Sequence, residues 1–173
     1  MTMTNCDKEF SRCDSSKKEY EIVKIEKTKF VCSMCEDFAT EQLTKQTPIA
    51  ILSCDGASLR GEIARQAANI ISFNLLPEKT ARICLGGAFT KDTGQRNLVK
   101  NTARVIALEG CPIECGSRMM KGVIENFNPE IIVVDKLCDF DKRLFATNDL
   151  SEDRIKELAH TAATKIKNTY LTF

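Results

Sequence analysis

Tryptophan is absent from this chain of 173 residues, and histidine occurs once, at His160. A single histidine removes Ser-His-Asp and Cys-His catalysis unless the fold carries His160 across to a nucleophile. It also removes the usual zinc hydrolases, which grip their metal through imidazoles. No apolar run approaches the ~20 residues of a membrane-spanning helix. Met1 to Asp14 lacks the apolar segment of an export signal. Net charge is nearly absent too, since 25 Lys plus Arg against 24 Asp plus Glu leave +1. That balance offers no basic footprint for nucleic acid and no stripe for an anionic membrane. Neither G-x-x-x-x-G-K-[ST] nor G-x-G-x-x-G spacing occurs, so no phosphate loop of the usual kinds is present. The expectation is a cytoplasmic protein without a nucleic-acid or membrane partner.

What the chain does have is sulfur. Nine cysteines fall in a sequence that is 43% hydrophobic and 28% charged, a globular rather than disordered balance. A disulfide scaffold would typically be shorter, exceed about 8–10% cysteine and carry an export signal. An odd number also leaves one thiol unpaired within a chain. In a reducing compartment the better readings are metal ligands or reactive thiols.

The length suits one core, preceded by an extension of different character. Residues 1–45 are rich in Lys, Glu, Ser and Thr, with Tyr20 to Val31 alternating enough to suggest a strand or hairpin. Residues 46–173 are regular. Pro48 to Leu52, Ala81 to Leu85, Val105 to Leu108 and Ile131 to Asp135 are short, continuously apolar strands. Gly86-Gly87 is read as stopping the second. Helical spacing fills the intervals: Glu62 to Ile71, Thr93 to Asn101, Pro112 towards Phe127, and Ser151 to Lys167 with His160 off its apolar face. Proline favours the first helical position, which places Cys111 at about the N-cap of the third helix. Strands alternating with helices predict a three-layer, Rossmann-like α/β domain with a mostly parallel sheet of about four or five strands.

On that frame Cys54 follows the first strand, Cys84 ends the second and Cys111 follows the third. Parallel strands deliver all three thiols to the carboxyl edge, where open α/β sheets bind ligands. Neighbouring strands lie about 4.8 Å apart. A zinc ion with bonds of about 2.3 Å to sulfur needs its ligand atoms just under about 4 Å from one another. The scales match if the three strands are adjacent. Cys115, four residues after Cys111, is expected one turn further along the same helix face. Thiolates suit zinc or an iron–sulfur cluster, and not calcium or magnesium. Asp55, Ser58 and Glu109 are positioned to line the group.

Here the sequence resembles the DGC domain family, small bacterial and archaeal proteins described as zinc-binding. The resemblance runs from about Pro48 to Lys142. Its most specific part is Glu109-Gly110-Cys111-Pro112-Ile113-Glu114-Cys115, where Glu109 stands for the aspartate of the name. Cys54-Asp55-Gly56 followed by Gly61-Glu62-Ile63-Ala64, and Arg82-Ile83-Cys84-Leu85, are the other pieces. Asp55 stands where a smaller residue is expected. The resemblance implies that Cys54, Cys84, Cys111 and Cys115 chelate zinc, and implies no reaction.

Outside that set, Cys32-Ser33-Met34-Cys35 has the Cys-x-x-Cys spacing of a zinc knuckle or a redox pair. A second metal site would use Cys32 and Cys35, with Cys6 and Cys13 as partners. Cys138 after the fourth strand reads as a buried structural cysteine. Two functions from different classes remain. One is a zinc-binding module that docks a protein or small molecule at the metal edge. The other is an iron–sulfur or thiol-based redox or sulfur-transfer protein. An all-sulfur site leaves no open position for substrate, yet the sheet edge is where functional sites lie. Whether the protein is an enzyme is not decided by these residues.

Overall fold

The apolar runs do form one sheet. The computed structural model describes residues 20, 22–45 and 48–172. Its strands are β1 (Ile49–Ser53), β2 (Thr80–Arg82), β3 (Val105–Glu109) and β4 (Glu130–Val133). Every pairing is parallel, and the order is β2-β1-β3-β4. The helices are α1 (Ser33–Thr44), α2 (Leu59–Ile70), α3 (Leu85–Phe89), α4 (Gly94–Asn101), α5 (Cys115–Lys121) and α6 (Glu152–Tyr170).

Strand periodicity explains why the runs are continuously apolar. Ile49, Ile51, Ile106, Leu108 and Ile132 share one core with Ile63 and Ala67 of α2 and Leu158, Ala162 and Ile166 of α6. Ala50, Leu52, Ala81 and Ala107, one residue out of step, share the other with Ala39, Leu98, Val99 and Met120. Successive strand residues point to opposite faces, and here both faces are covered by helices. The chain is therefore the three-layer, Rossmann-like α/β domain expected, with four strands among the described residues, all parallel. No described helix is long and apolar enough to cross a membrane.

Local details depart from the sequence reading. β2 ends at Arg82, so Cys84 is the N-cap of α3, and Gly86 and Gly87 lie inside that helix rather than stopping the strand. The chain leaves the ladder because the Cys84 N–H donates to Oε1 of buried Gln95 at 2.9 Å. The fourth strand likewise stops at Val133, with a 3-10 turn over Val134–Leu137. The helix expected from Pro112 begins at Cys115 and ends at Lys121. Proline's fixed φ serves the second position of a β-turn as well as a first helical position. Here it takes the turn, closed by the Glu114 N–H on the Cys111 carbonyl at 3.3 Å. Glu114 then reverses the backbone with φ 56° before α5 starts. Cys111 therefore opens a turn, and Cys115 does not follow it along one helix face.

The extension also differs. The described part of Tyr20 to Val31 forms no strand; Tyr20, Ile22, Val23 and Phe30 are exposed. A lone alternating segment gains little without a sheet to join. The following residues, not expected as a helix, form α1, and the boundary at residues 45–46 falls between α1 and β1. α1 lies against α4. The Glu36 carboxylate accepts from the Gly94 N–H at 2.8 and 2.7 Å, at the start of α4, with Ala39 buried beneath. An anion at a helix start satisfies unpaired N–H groups and the positive end of the dipole. His160 is exposed on α6, as expected.

Candidate metal centre

From β1 the chain runs through α2 to β2 on one side and, after α3 and α4, returns to β3 on the other. The helices that follow β1 and β3 belong to opposite cores: α2 to one, α5 to the other. The crevice outside the carboxyl ends of β1 and β3 is thus a topological switch point, the place where such sheets hold ligands. Cys54 directly follows β1 there, and Gly110 and Cys111 follow β3.

Beside this crevice the first turn of α2 comes close to the glycines of two loops. A Cβ on Gly61 would lie 2.6 Å from the Gly56 Cα, and one on Gly110 would lie 2.7 Å from both the Arg60 carbonyl carbon and the Gly61 nitrogen. No side chain fits at either position, so the first turn of α2 meets the loop after β1 at Gly56 and the loop after β3 at Gly110, backbone to backbone. The result is a hydrogen bond from the Gly110 N–H to the Cys54 sulfur at 3.1 Å. Cys54 is buried, at 7% exposure. Burial raises its thiol above the ordinary range, against the N–H groups of Gly110 and Gly56 that favour the thiolate; Glu109 and Cys111 add to the rise.

The other thiols sit at different depths. Cys111 is half-buried, whereas Cys84 and Cys115 are exposed. β2, β1 and β3 are adjacent, so the condition for bringing the three post-strand cysteines to one edge is met. Their side chains are nevertheless not drawn together. Among the described residues no group of three or more Cys, His, Asp or Glu side chains is close enough to hold a metal ion. In donor chemistry the four thiols suit zinc, and the hydrogen bond on Cys54 is the outer support that metal-bound sulfurs usually have.

The residues expected to line the group divide. Asp55 is exposed and borders a cleft of about 460 Å³ that includes Cys84, Ser53, Phe38, Phe73 and Arg82. Ser58 instead caps α2, accepting from the Gly61 N–H at 3.4 Å. Glu109 is 1% exposed and turned inward. Its carboxylate accepts from the Ser117 N–H and Oγ, both at 2.7 Å, and from the Gly116 N–H at 3.4 Å. It holds the start of α5, and hence the position of Cys115, from below.

Two residues that sequence reasoning passed over lie beside Cys84. Gln95 holds its backbone, as described. Arg82 donates to Asn69 Oδ1 at 2.9 Å and Ser53 Oγ at 2.6 Å. Burial pushes its guanidinium down to about 10. The signal was present, since Arg82 stands in the Arg-Ile-Cys-Leu stretch, but a strand arginine does not announce which way it points.

Cys32 and Cys35 stand at the start of α1, with Cys32 exposed. The backbone N–H of Cys35, the Cys35 side chain facing it and the Met34 N–H hold the Cys32 thiol below its ordinary range. The Cys35 thiol is raised, chiefly by that same contact, and Cys84 bears on it as well. Cys6 and Cys13, the expected partners of this pair, lie outside the described residues. Cys138 is buried, its Sγ 3.5 Å from the Leu158 carbonyl. In metal-free protein, iodoacetamide at neutral pH should, among the described cysteines, modify Cys32 first and Cys54 and Cys138 last, more slowly by about tenfold or more. Peptide mass spectrometry over time measures the order; Cys54 reacting among the first would contradict the burial described.

The family model of the DGC domain matches residues 50–162. Searches of curated proteins and of solved structures found no match. The matched span takes in well over half the chain, so the chain belongs to the DGC domain family.

Proposed function

We propose that this member of the DGC domain family is a zinc-binding protein, its metal held by the thiolates of Cys54, Cys84, Cys111 and Cys115. The observation that carries the reading is the strand order, which sets three of the four cysteines after three adjacent parallel strands, around a switch point. Zinc displaces the thiol protons as it binds. That requirement weighs most on Cys54, whose burial favours the protonated form until a cation arrives. Cys84 and Cys115, being exposed, are the ligands with room to turn towards it. The role is metal binding at a functional edge where a protein or small molecule docks.

Elemental analysis of the purified full chain tests this. Cys54→Ser, Cys84→Ser, Cys111→Ser and Cys115→Ser should each lower zinc at this site at least tenfold, the usual scale for losing metal support or more. Cys138→Ser should leave zinc unchanged. Circular dichroism of each variant separates metal loss from unfolding. Equal loss from Cys138→Ser, or iron and sulfide in place of zinc, would sink the assignment.

A further inference from the structure

The pair at the start of α1 is not needed by the edge site and has a geometry of its own. Cys32 is the N-cap and Cys35 the third helical residue, a spacing of three that brings both side chains to one side of the first turn. The two face each other, and Cys32 is open to solvent while Cys35 is half-covered. Two thiols are half of the four ligands in a closed zinc site. Among the described residues the further sulfur bearing on Cys35 is Cys84, which the proposed edge site takes. The platform is anchored: Glu36 is tied to Gly94, and Ala39 is buried one turn further on.

We infer that Cys32 and Cys35 form a redox-active dithiol that closes to an intramolecular disulfide by exchange with a low-molecular-weight disulfide. In the first step the Cys32 thiolate attacks one sulfur of the small disulfide. That S–S bond breaks, one small thiolate leaves and a mixed disulfide remains on Cys32. Cys35 then loses its proton to solvent and attacks the Cys32 sulfur, expelling the second small thiolate. Two protein thiols are oxidised by two electrons, and one disulfide is reduced to two thiols. Exposed Cys32 is the attacking residue, and half-covered Cys35 resolves the intermediate.

The sequence makes the test direct, because the tryptic peptide of residues 30–45 contains Cys32 and Cys35 and no other cysteine. The full chain, as isolated with its metal, is equilibrated in glutathione–glutathione disulfide mixtures, quenched in acid, alkylated and digested. The peptide should pass from doubly alkylated to internally disulfide-bonded in a single two-electron transition. Cys35→Ser should trap glutathione on Cys32, and Cys32→Ser should trap at least tenfold less on Cys35. Zinc content should stay the same in both variants, which separates this result from the fate of the edge-site reading. Three outcomes overturn the inference: a peptide doubly alkylated at every ratio, a disulfide joining Cys35 to Cys84, or a pair shielded from alkylation until a chelator removes zinc.

Discussion

Glu109→Ala should unfold at a much lower urea concentration than the unaltered chain, losing about 4 kcal/mol of stability. The carboxylate serves two donors of one residue, the N–H and hydroxyl of Ser117, which is itself fully buried. Stripping the acceptor leaves both donors unsatisfied in a dry setting, at about 1–3 kcal/mol each. The vacated volume adds a cavity term. Glu109→Asp restores the residue for which the family is named, but its carboxylate sits one methylene short of Ser117. It should lose about 1–2 kcal/mol. Urea melts followed by circular dichroism, with unchanged slopes, would measure both. A loss below about 1 kcal/mol for the alanine variant would mean that water replaces the carboxylate and that Glu109 does not hold α5.

Gly61→Ala is the second change with a large expected effect. The new methyl group would sit 2.6, 2.8 and 2.9 Å from the Cα, O and N of Gly56. These are backbone atoms, so no side chain can swing away, and overpacking of this kind costs about 3 kcal/mol. In an exposed helix interior the same change would usually stabilise, because alanine is the better helix former by about 1 kcal/mol. The sign of the measured change therefore reports whether the loop after β1 is pressed against α2. The substitution also shifts Cys54, two residues before Gly56, and should lower zinc content along with the melting midpoint. Zinc retained in full with the midpoint lowered would show that the loop relaxes without moving the sulfur.

The strands were legible because burial on both faces leaves a plain mark: short, uninterrupted apolar runs between turns. From them the sheet, its direction and the edge reached by Cys54, Cys84 and Cys111 all follow. What escaped reading was decided by single polar contacts between distant residues. α1 was invisible because its inward positions are Cys35, Phe38, Ala39 and Gln42, a mixed set that no hydrophobic pattern detects. Its partner Glu36 reads as any surface glutamate until Gly94 is brought beside it. Pro112 fits two local geometries equally, and which one forms shows only in the left-handed backbone that Glu114 adopts. Ser58 and Glu109 were placed near the right loops, but their direction depends on which N–H groups need an acceptor. How closely the thiols gather depends on side-chain rotation, which no spacing encodes.

The limits of family similarity and those of the folded unit do not coincide here. Similarity begins at residue 50 and stops at residue 162, inside α6. A fragment cut at those limits would discard Ala163, Ile166 and Leu171 from one core and Ala39 from the other. Gly94 would lose the carboxylate that tops its helix. Anyone trimming this protein for crystals or binding assays should therefore keep residues 32–172, or expect a sticky, half-assembled species in which sulfur chemistry is no longer that of the intact molecule.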